Sequence, residues 1–85
     1  MILLKIRYKY IGIPIPSLNK EVREVELEVN STLNDLLTLL EKDINGEHKS
    51  IFKTANFLVN NSRASRNTLL FEGDMVWIFT VLGGG

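Results

Sequence analysis

The chain ends in Gly83, Gly84 and Gly85, directly after an apolar run, so no side-chain atom lies beyond Leu82. Glycine has nothing to bury and loses the most backbone entropy on ordering, so such an end adds nothing to a packed core. With glycine at about 7% of average sequence, three terminal glycines arise by chance in roughly one chain in 3000. A frayed terminus is the plain explanation. The chemical explanation is a thread thin enough to carry the terminal carboxylate into another protein's active site. Fully extended, residues 83–85 reach roughly 10 Å, and Val81 and Leu82 add about 7 Å. The residues that precede the glycines favour the second explanation.

Little else in the chain could do chemistry. There is no cysteine, which removes disulfides, thiolate nucleophiles and cysteine-ligated metal sites together. His48 is the one histidine and lies in the polar stretch 45–50, where a solvated surface role is the default. Arg63 and Arg66 fall among small polar residues, in a stretch read as a solvated loop rather than a phosphate site. No paired carboxylates flank a cleft, and no glycine-rich phosphate loop joins a strand to a helix. The chain carries no enzyme signature. Ten basic and ten acidic side chains cancel, so no broad field for nucleic acid or a membrane surface is expected. The opening Ile2-Leu3-Leu4 run is far too short for a signal-peptide core or a membrane span. A cytoplasmic protein without a bound cofactor is the expectation.

The elements that must position the tail are legible as periodicities. With 45% apolar residues in 85, one modest core is expected, in a single domain spanning 1–85 with 81–85 as its flexible tail. Residues 2–10 alternate, with Ile2, Leu4, Ile6 and Tyr8 on one face and Leu3, Lys5, Arg7 and Lys9 on the other. Residues 11–20 carry Gly12, Pro14 and Pro16 and read as a loop whose isoleucines cover one end of the core. Residues 22–29 alternate again, with Val25, Leu27 and Val29 inward and Glu24, Glu26 and Glu28 outward. Antiparallel pairing would set Lys5, Arg7 and Lys9 across from those glutamates. The period then changes: Leu33, Leu36, Leu37, Leu40 and Ile44 form a helical stripe, capped by Ser31 or Thr32 and ended by Gly46. Phe57-Leu58-Val59 reads as a short strand closed by Asn60-Asn61, and 62–68 as a loop. Leu69-Leu70-Phe71 returns to the core, and Glu72-Gly73-Asp74 turns into a last strand over 75–82. One helix on one face of a mixed four- to five-stranded sheet is the α+β arrangement these elements predict.

That order, with Gly73-Asp74 opening an apolar strand that runs into terminal glycines, resembles the β-grasp (ubiquitin-like) family of sulfur carriers. The family includes the small subunit of molybdopterin synthase, the thiazole-biosynthesis sulfur carrier and archaeal relatives that also modify proteins. The resemblance covers essentially the whole chain and is sharpest over residues 71–85. Val59-Asn60 and the first strand match the molybdopterin-synthase type, which usually has a proline pair where this chain has Thr80-Val81. The ending Phe79-Thr80-Val81-Leu82-Gly83-Gly84 is closer to the thiazole carrier, and three glycines stand where two are usual. The pathway is therefore left open.

The resemblance implies a chemistry for the tail. A separate activating enzyme consumes ATP to convert the carboxylate of the last glycine, here Gly85, into an acyl-adenylate. A sulfur donor then displaces AMP to leave a thiocarboxylate, for a sulfur-accepting synthase subunit. Alternatively a target amine attacks, joining Gly85 to a lysine as a protein modifier. A third possibility is an adaptor module that is never activated. Gly83 and Gly84 keep the thread narrow. The family fold also implies that first and last strands pair in parallel. With Val76 and Ile78 inward, Trp77 and Phe79 would stand beside Arg7 on the outer face and, with Val81 and Leu82, bind the partner. The alternatives are that loops cover Trp77, or that it packs on Arg7. The last strand is apolar at nearly every position, so alternation does not set its phase.

Overall fold

A computed structural model describes residues 2–18, 21–44, 46–48 and 50–80. Strictly alternating residues make β1, Leu3–Ile11, with Leu4, Ile6, Tyr8 and Tyr10 buried on one face. β2, Arg23–Glu28, pairs with it antiparallel, setting Lys5 across from Glu26 and Arg7 across from Glu24. The third expected pair does not form. Glu28 faces Leu3, and the pairing ends at Tyr8 and Arg23, one residue short of Lys9. At the open end of the hairpin Ile2 and Val29 are exposed rather than buried, because the core does not extend that far.

The leucine stripe folds into α1, Leu33–Glu41, with Leu33, Leu36, Leu37 and Leu40 buried against the sheet. Thr32 is its N-cap residue. The Asp35 carboxylate accepts the Thr32 N–H at 2.8 Å and its hydroxyl at 3.2 Å, placing negative charge at the positive end of the helix. The helix ends at Glu41 with Lys42 as C-cap, five residues before Gly46. Gly46, at φ +63°, instead opens a 3₁₀ turn, Gly46–His48. A second 3₁₀ turn, Ile51–Thr54, drives Phe52 into the core.

β3, Asn56–Val59, then turns through Asn60 (φ +50°) and Asn61 (φ +70°) into β4, Ser62–Ala64. Two left-handed residues make a hairpin turn whose twist matches its strands, and asparagine tolerates that conformation. The stretch 62–68, expected as loop, therefore begins as an edge strand. Of Leu69-Leu70-Phe71 only Leu70 enters the core, at 1% exposure; its neighbours are 48% and 64% exposed, as extended backbone requires of successive residues. β5, Met75–Phe79, lies in mid-sheet. The strand order is β2-β1-β5-β3-β4, with β1 and β5 parallel and every other pairing antiparallel. This is the α+β, ubiquitin-like arrangement expected. Val76 and Ile78 are fully buried, which sets the phase of β5.

The entry to β5 is held by side chains. Gly73, at φ +82°, occupies the position of the 71–74 turn that needs a left-handed residue. Asp74 is buried; its carboxylate accepts the Phe71 N–H at 2.8 Å and the Asn60 amide at 2.7 Å. Asn60 in turn accepts the Met75 N–H at 3.0 Å. Truncation of Asp74 leaves two donors unmade in a half-dry site, at about 1–3 kcal/mol. Asp74→Ala is expected to lower the urea midpoint without altering the slope; an unchanged midpoint would show that the turn holds itself.

Candidate functional site

Residues 81–85 lie outside the described part of the chain, so Val81, Leu82, Gly83, Gly84 and Gly85 have no place in the geometry that follows. Their starting point does. Thr80 follows β5 and is 6% exposed. Its N–H donates to the Ile11 carbonyl at 2.9 Å. Its hydroxyl oxygen accepts the Ile13 N–H at 3.1 Å and lies 2.7 Å from the Tyr10 hydroxyl. The Tyr10 hydroxyl donates to the Ile13 carbonyl, so its oxygen accepts the Thr80 hydroxyl proton and the ring of bonds closes. Gly12 makes the approach feasible. It sits at φ +142°, and a Cβ built on it would overlap both the Thr80 hydroxyl and its carbonyl oxygen. Only glycine fits both the space and the backbone angle. The last described residue is thus tied to the body by three hydrogen bonds.

The outer face of the sheet beside this point carries an aromatic pair flanked by Lys9 and Arg63, with the β2 glutamates along its far margin. The register sets Lys9, Trp77, Leu58 and Arg63 in one row across β1, β5, β3 and β4. Phe79 lies in the next row, between Ile11 and Asn56. Trp77 and Phe79 stack, with ring centroids 6.2 Å apart and planes within 9°. Lys9 places its ammonium 5.5 Å from the Trp77 ring centre. Trp77 and Phe79 are half-buried, so no loop covers them fully. A concavity of about 550 Å³ adjoins Phe79, with Asn56, Leu58, Arg63 and Ala64 among its lining residues.

Trp77 and Phe79 therefore stand together on the outer face, as expected. Arg7 shares that face but sits one row away, between Met75 and Glu24, and the cation over Trp77 is Lys9. Sequence reasoning missed Lys9, which it paired with a glutamate, and Arg63, which it left in a loop. Counting from Gly73-Asp74 to align β1 with β5 would have found the first. The second depended on recognising Asn60-Asn61 as a two-residue hairpin turn. Arg66 belongs elsewhere: it donates to the Asn34 side chain at 2.7 Å and holds the start of α1. Among the described residues no group of acidic, histidine or cysteine side chains could hold a metal.

Comparison with known proteins places this architecture. The family model described as ThiS family matches residues 9–85, through the last glycine. The chain belongs to the ThiS family. It has the ubiquitin-like fold, and the small carriers of this family are not themselves enzymes. They work with adenylating enzymes and with acceptor proteins or synthase subunits. A putative molybdopterin converting factor subunit 1 from Pyrococcus furiosus is similar in structure, with TM-score 0.65 and 21% identity over 93% of this chain and 99% of that one. SAMP1 from Haloferax volcanii gives 0.68 and 19% identity over 95% and 99%. The Haloferax volcanii HVO 2177 protein gives 0.74 and 18% identity over 98% and 88%. At these identities the likeness shows the fold alone. No curated protein matches the sequence. No helix among the described residues is long and apolar enough to cross a membrane.

The ring of bonds at Thr80 is separately testable. Thr80→Val keeps the shape and removes the hydroxyl, at about 1–3 kcal/mol; Gly12→Ala adds overlap and strain and is expected to cost more. Burial raises the Tyr10 phenol above its ordinary value, partly offset by the hydrogen bond with Thr80. The folded state thus retains this proton where the unfolded chain has lost it, so stability is full below about pH 10 and falls as pH rises through the folded value. Tyr10→Phe should flatten part of that decline in thermal melts, Tyr8 supplying the rest because burial raises its phenol too. An unaltered profile would remove Tyr10 from the account.

Proposed function

We propose that this chain is a sulfur carrier whose reactive group is the Gly85 carboxylate and whose folded body is the handle by which an activating enzyme holds it. The observation that carries this reading is the family match running through the glycines, joined to a sheet face suited to binding beside the point where the tail begins. A carboxylate is a poor electrophile. Attack of one Gly85 oxygen on the α-phosphate of ATP, with loss of pyrophosphate, gives an acyl-adenylate. Hydrosulfide, supplied by the sulfur source, then attacks the acyl carbon, displaces AMP and leaves the thiocarboxylate. ATP is consumed by the partner, and the carrier holds no cofactor of its own.

Distance sets what the tail can reach. Five residues beyond Thr80 span at most roughly 17 Å at about 3.3–3.6 Å each. The adenylating site must therefore lie within that radius of Thr80 once the sheet is docked. Trp77 and Phe79 are the anchors proposed for docking, because stacked, partly dry aromatics lose most on truncation at interfaces. Arg7, Lys9 and Arg63 add positive charge at the margin, so the complementary surface is acidic and apolar. Gly83 and Gly84 thread the passage, with Val81 and Leu82 at its mouth. A cytoplasmic setting fits a chain without cysteine.

A second reading shares the first step. In it a target lysine amine displaces AMP, and Gly85 ends in an isopeptide bond; likeness to archaeal modifier proteins favours keeping it. Intact mass of the protein from its native cells, or after incubation with ATP, the activating enzyme and a sulfur source, separates the two. Exchange of one terminal oxygen for sulfur is the expected result, and a ladder of larger conjugates would give the function to the modifier. Unchanged mass beside a cognate activating enzyme would contradict both. For docking, Trp77→Ala is expected to weaken binding to that enzyme about tenfold or more, equal to about 1.4 kcal/mol. Unchanged affinity with a collapsed melting temperature would assign the ring to the core.

A further inference from the structure

The far edge of the sheet carries a second surface that tail chemistry does not use. Three bonds show which way β1 faces: Lys5 and Ile11 carbonyls accept from Gly73 and Thr80, and the Arg7 N–H donates to Asp74. The odd residues of β1 thus direct their backbone toward β5. Its even residues, Leu4, Ile6 and Tyr8, must then serve β2, where the register pairs them with Leu27, Val25 and Arg23. The Val29 N–H, which donates to Ile2 at 3.0 Å, keeps this alternation. It follows that Glu24, Glu26 and Glu28 turn their backbone groups outward at the free edge of the sheet. Among the described residues only the Glu28 carbonyl finds a partner there, accepting the Ser31 N–H at 3.1 Å.

The same three residues project their carboxylates onto the outer face, all exposed. No side-chain ion pair engages them among the described residues. Along the edge a groove of about 630 Å³ runs between β2 and α1; Leu27, Val29 and Leu39 give it an apolar strip, and Glu26, Glu28, Asp35 and Lys42 are among its polar lining. A guest strand would thus meet carboxylates on one face, a mixed groove with an apolar strip on the other and open hydrogen-bonding groups between them.

We propose that the β2 edge captures an extended segment of another protein in which basic and apolar residues alternate. β1 is the internal template for it. Lys5, Ile6 and Arg7 already lie against the other side of β2, with Lys5 opposite Glu26 and Arg7 opposite Glu24. A guest with the same alternation would place a second basic row on the free side of the same glutamates, one strand spacing of about 4.8 Å away. Its alternate apolar residues would cover Leu27 and Leu39. A second copy of this chain does not fit: pairing β2 with β2 sets glutamates against glutamates, which is destabilising. The opposite edge offers less, since β4 has three residues. β1 separates this edge from β5, so a segment bound here leaves Trp77 and Phe79 open.

The test needs no activating enzyme, and its outcome is independent of the tail. The probe is a capped heptapeptide of alternating lysine and valine, with the glutamate–valine peptide as control, titrated to millimolar concentration against the whole chain. Amide resonances and hydrogen exchange are read by NMR. The basic peptide is expected to slow exchange at Glu24 and Glu26 several-fold, and the acidic control to leave them unchanged. The double variant Glu24→Lys, Glu26→Lys should reverse that preference. Glu26→Pro removes an outward N–H without touching the β1 ladder, and should abolish protection while melting within a few degrees of the parent. Resonance changes confined to the rows around Trp77, or none at all, would overturn the proposal. Protection of Glu24 and Glu26 that rises with protein concentration alone would give the edge to a second copy and overturn it equally.

Discussion

The parallel pairing of β1 with β5 is the constraint on which the rest of this molecule depends. Parallel neighbours cannot be joined by a tight turn, so everything between Ile11 and Met75 is crossover, including the helix that covers one face. The two ends of the pairing are held differently. At the entry, Glu72 and Gly73 bond to the backbone of Lys5 while Asp74 braces the turn. At the exit, Thr80 is locked to Tyr10, Ile11 and Ile13 over a glycine that leaves no room to move inward. A strand fixed at both ends holds Thr80 at one place beside β1.

The sheet uses its two faces for different purposes. The inner one is dry: Ile6, Leu33, Leu36, Leu37, Val76 and Ile78 are fully buried, and each such side chain contributes roughly 1.5–3 kcal/mol on leaving water. The outer one bears a stacked aromatic pair under a lysine, bordered by arginines, in rows that cross four strands. Because β5 is central, the aromatics lie on the stiffest part of the sheet and next to the exit of the chain. The aromatic pair proposed for docking thus sits on the same five-residue strand that leads to Thr80. The third surface, the acidic edge of β2, is set by the same pleat: one residue of slip in the hairpin would turn its glutamates into the core.

Much of this was legible in the order of residues. Alternation exposed β1 and β2, the leucine stripe exposed α1, and Gly73-Asp74 exposed the turn into β5, because each of those patterns has one period and one solution. Misreadings cluster where local pattern ends and pairing begins. Lys9 looks equivalent to Lys5 and Arg7 in sequence, yet the hairpin stops one residue earlier and hands it to Trp77. Residues 62–64 have no apolar alternation, and only the two left-handed asparagines and the neighbouring β3 make them a strand. Leu69 and Phe71 are as apolar as Leu70, but an extended backbone turns one of three inward. Thr80 has the least visible role of all: a small polar residue after an apolar strand acquires its meaning from Gly12, far away in sequence and in contact in space.

The central claim is that the acid group at the end of the chain is the reactive site and the folded body its handle. Pyrophosphate exchange catalysed by the cognate activating enzyme measures the first chemical step alone. With a chain extended by one alanine beyond Gly85, and a melting curve unchanged from the parent, the account predicts that exchange disappears while the complex still forms. Exchange at the parental rate would contradict it.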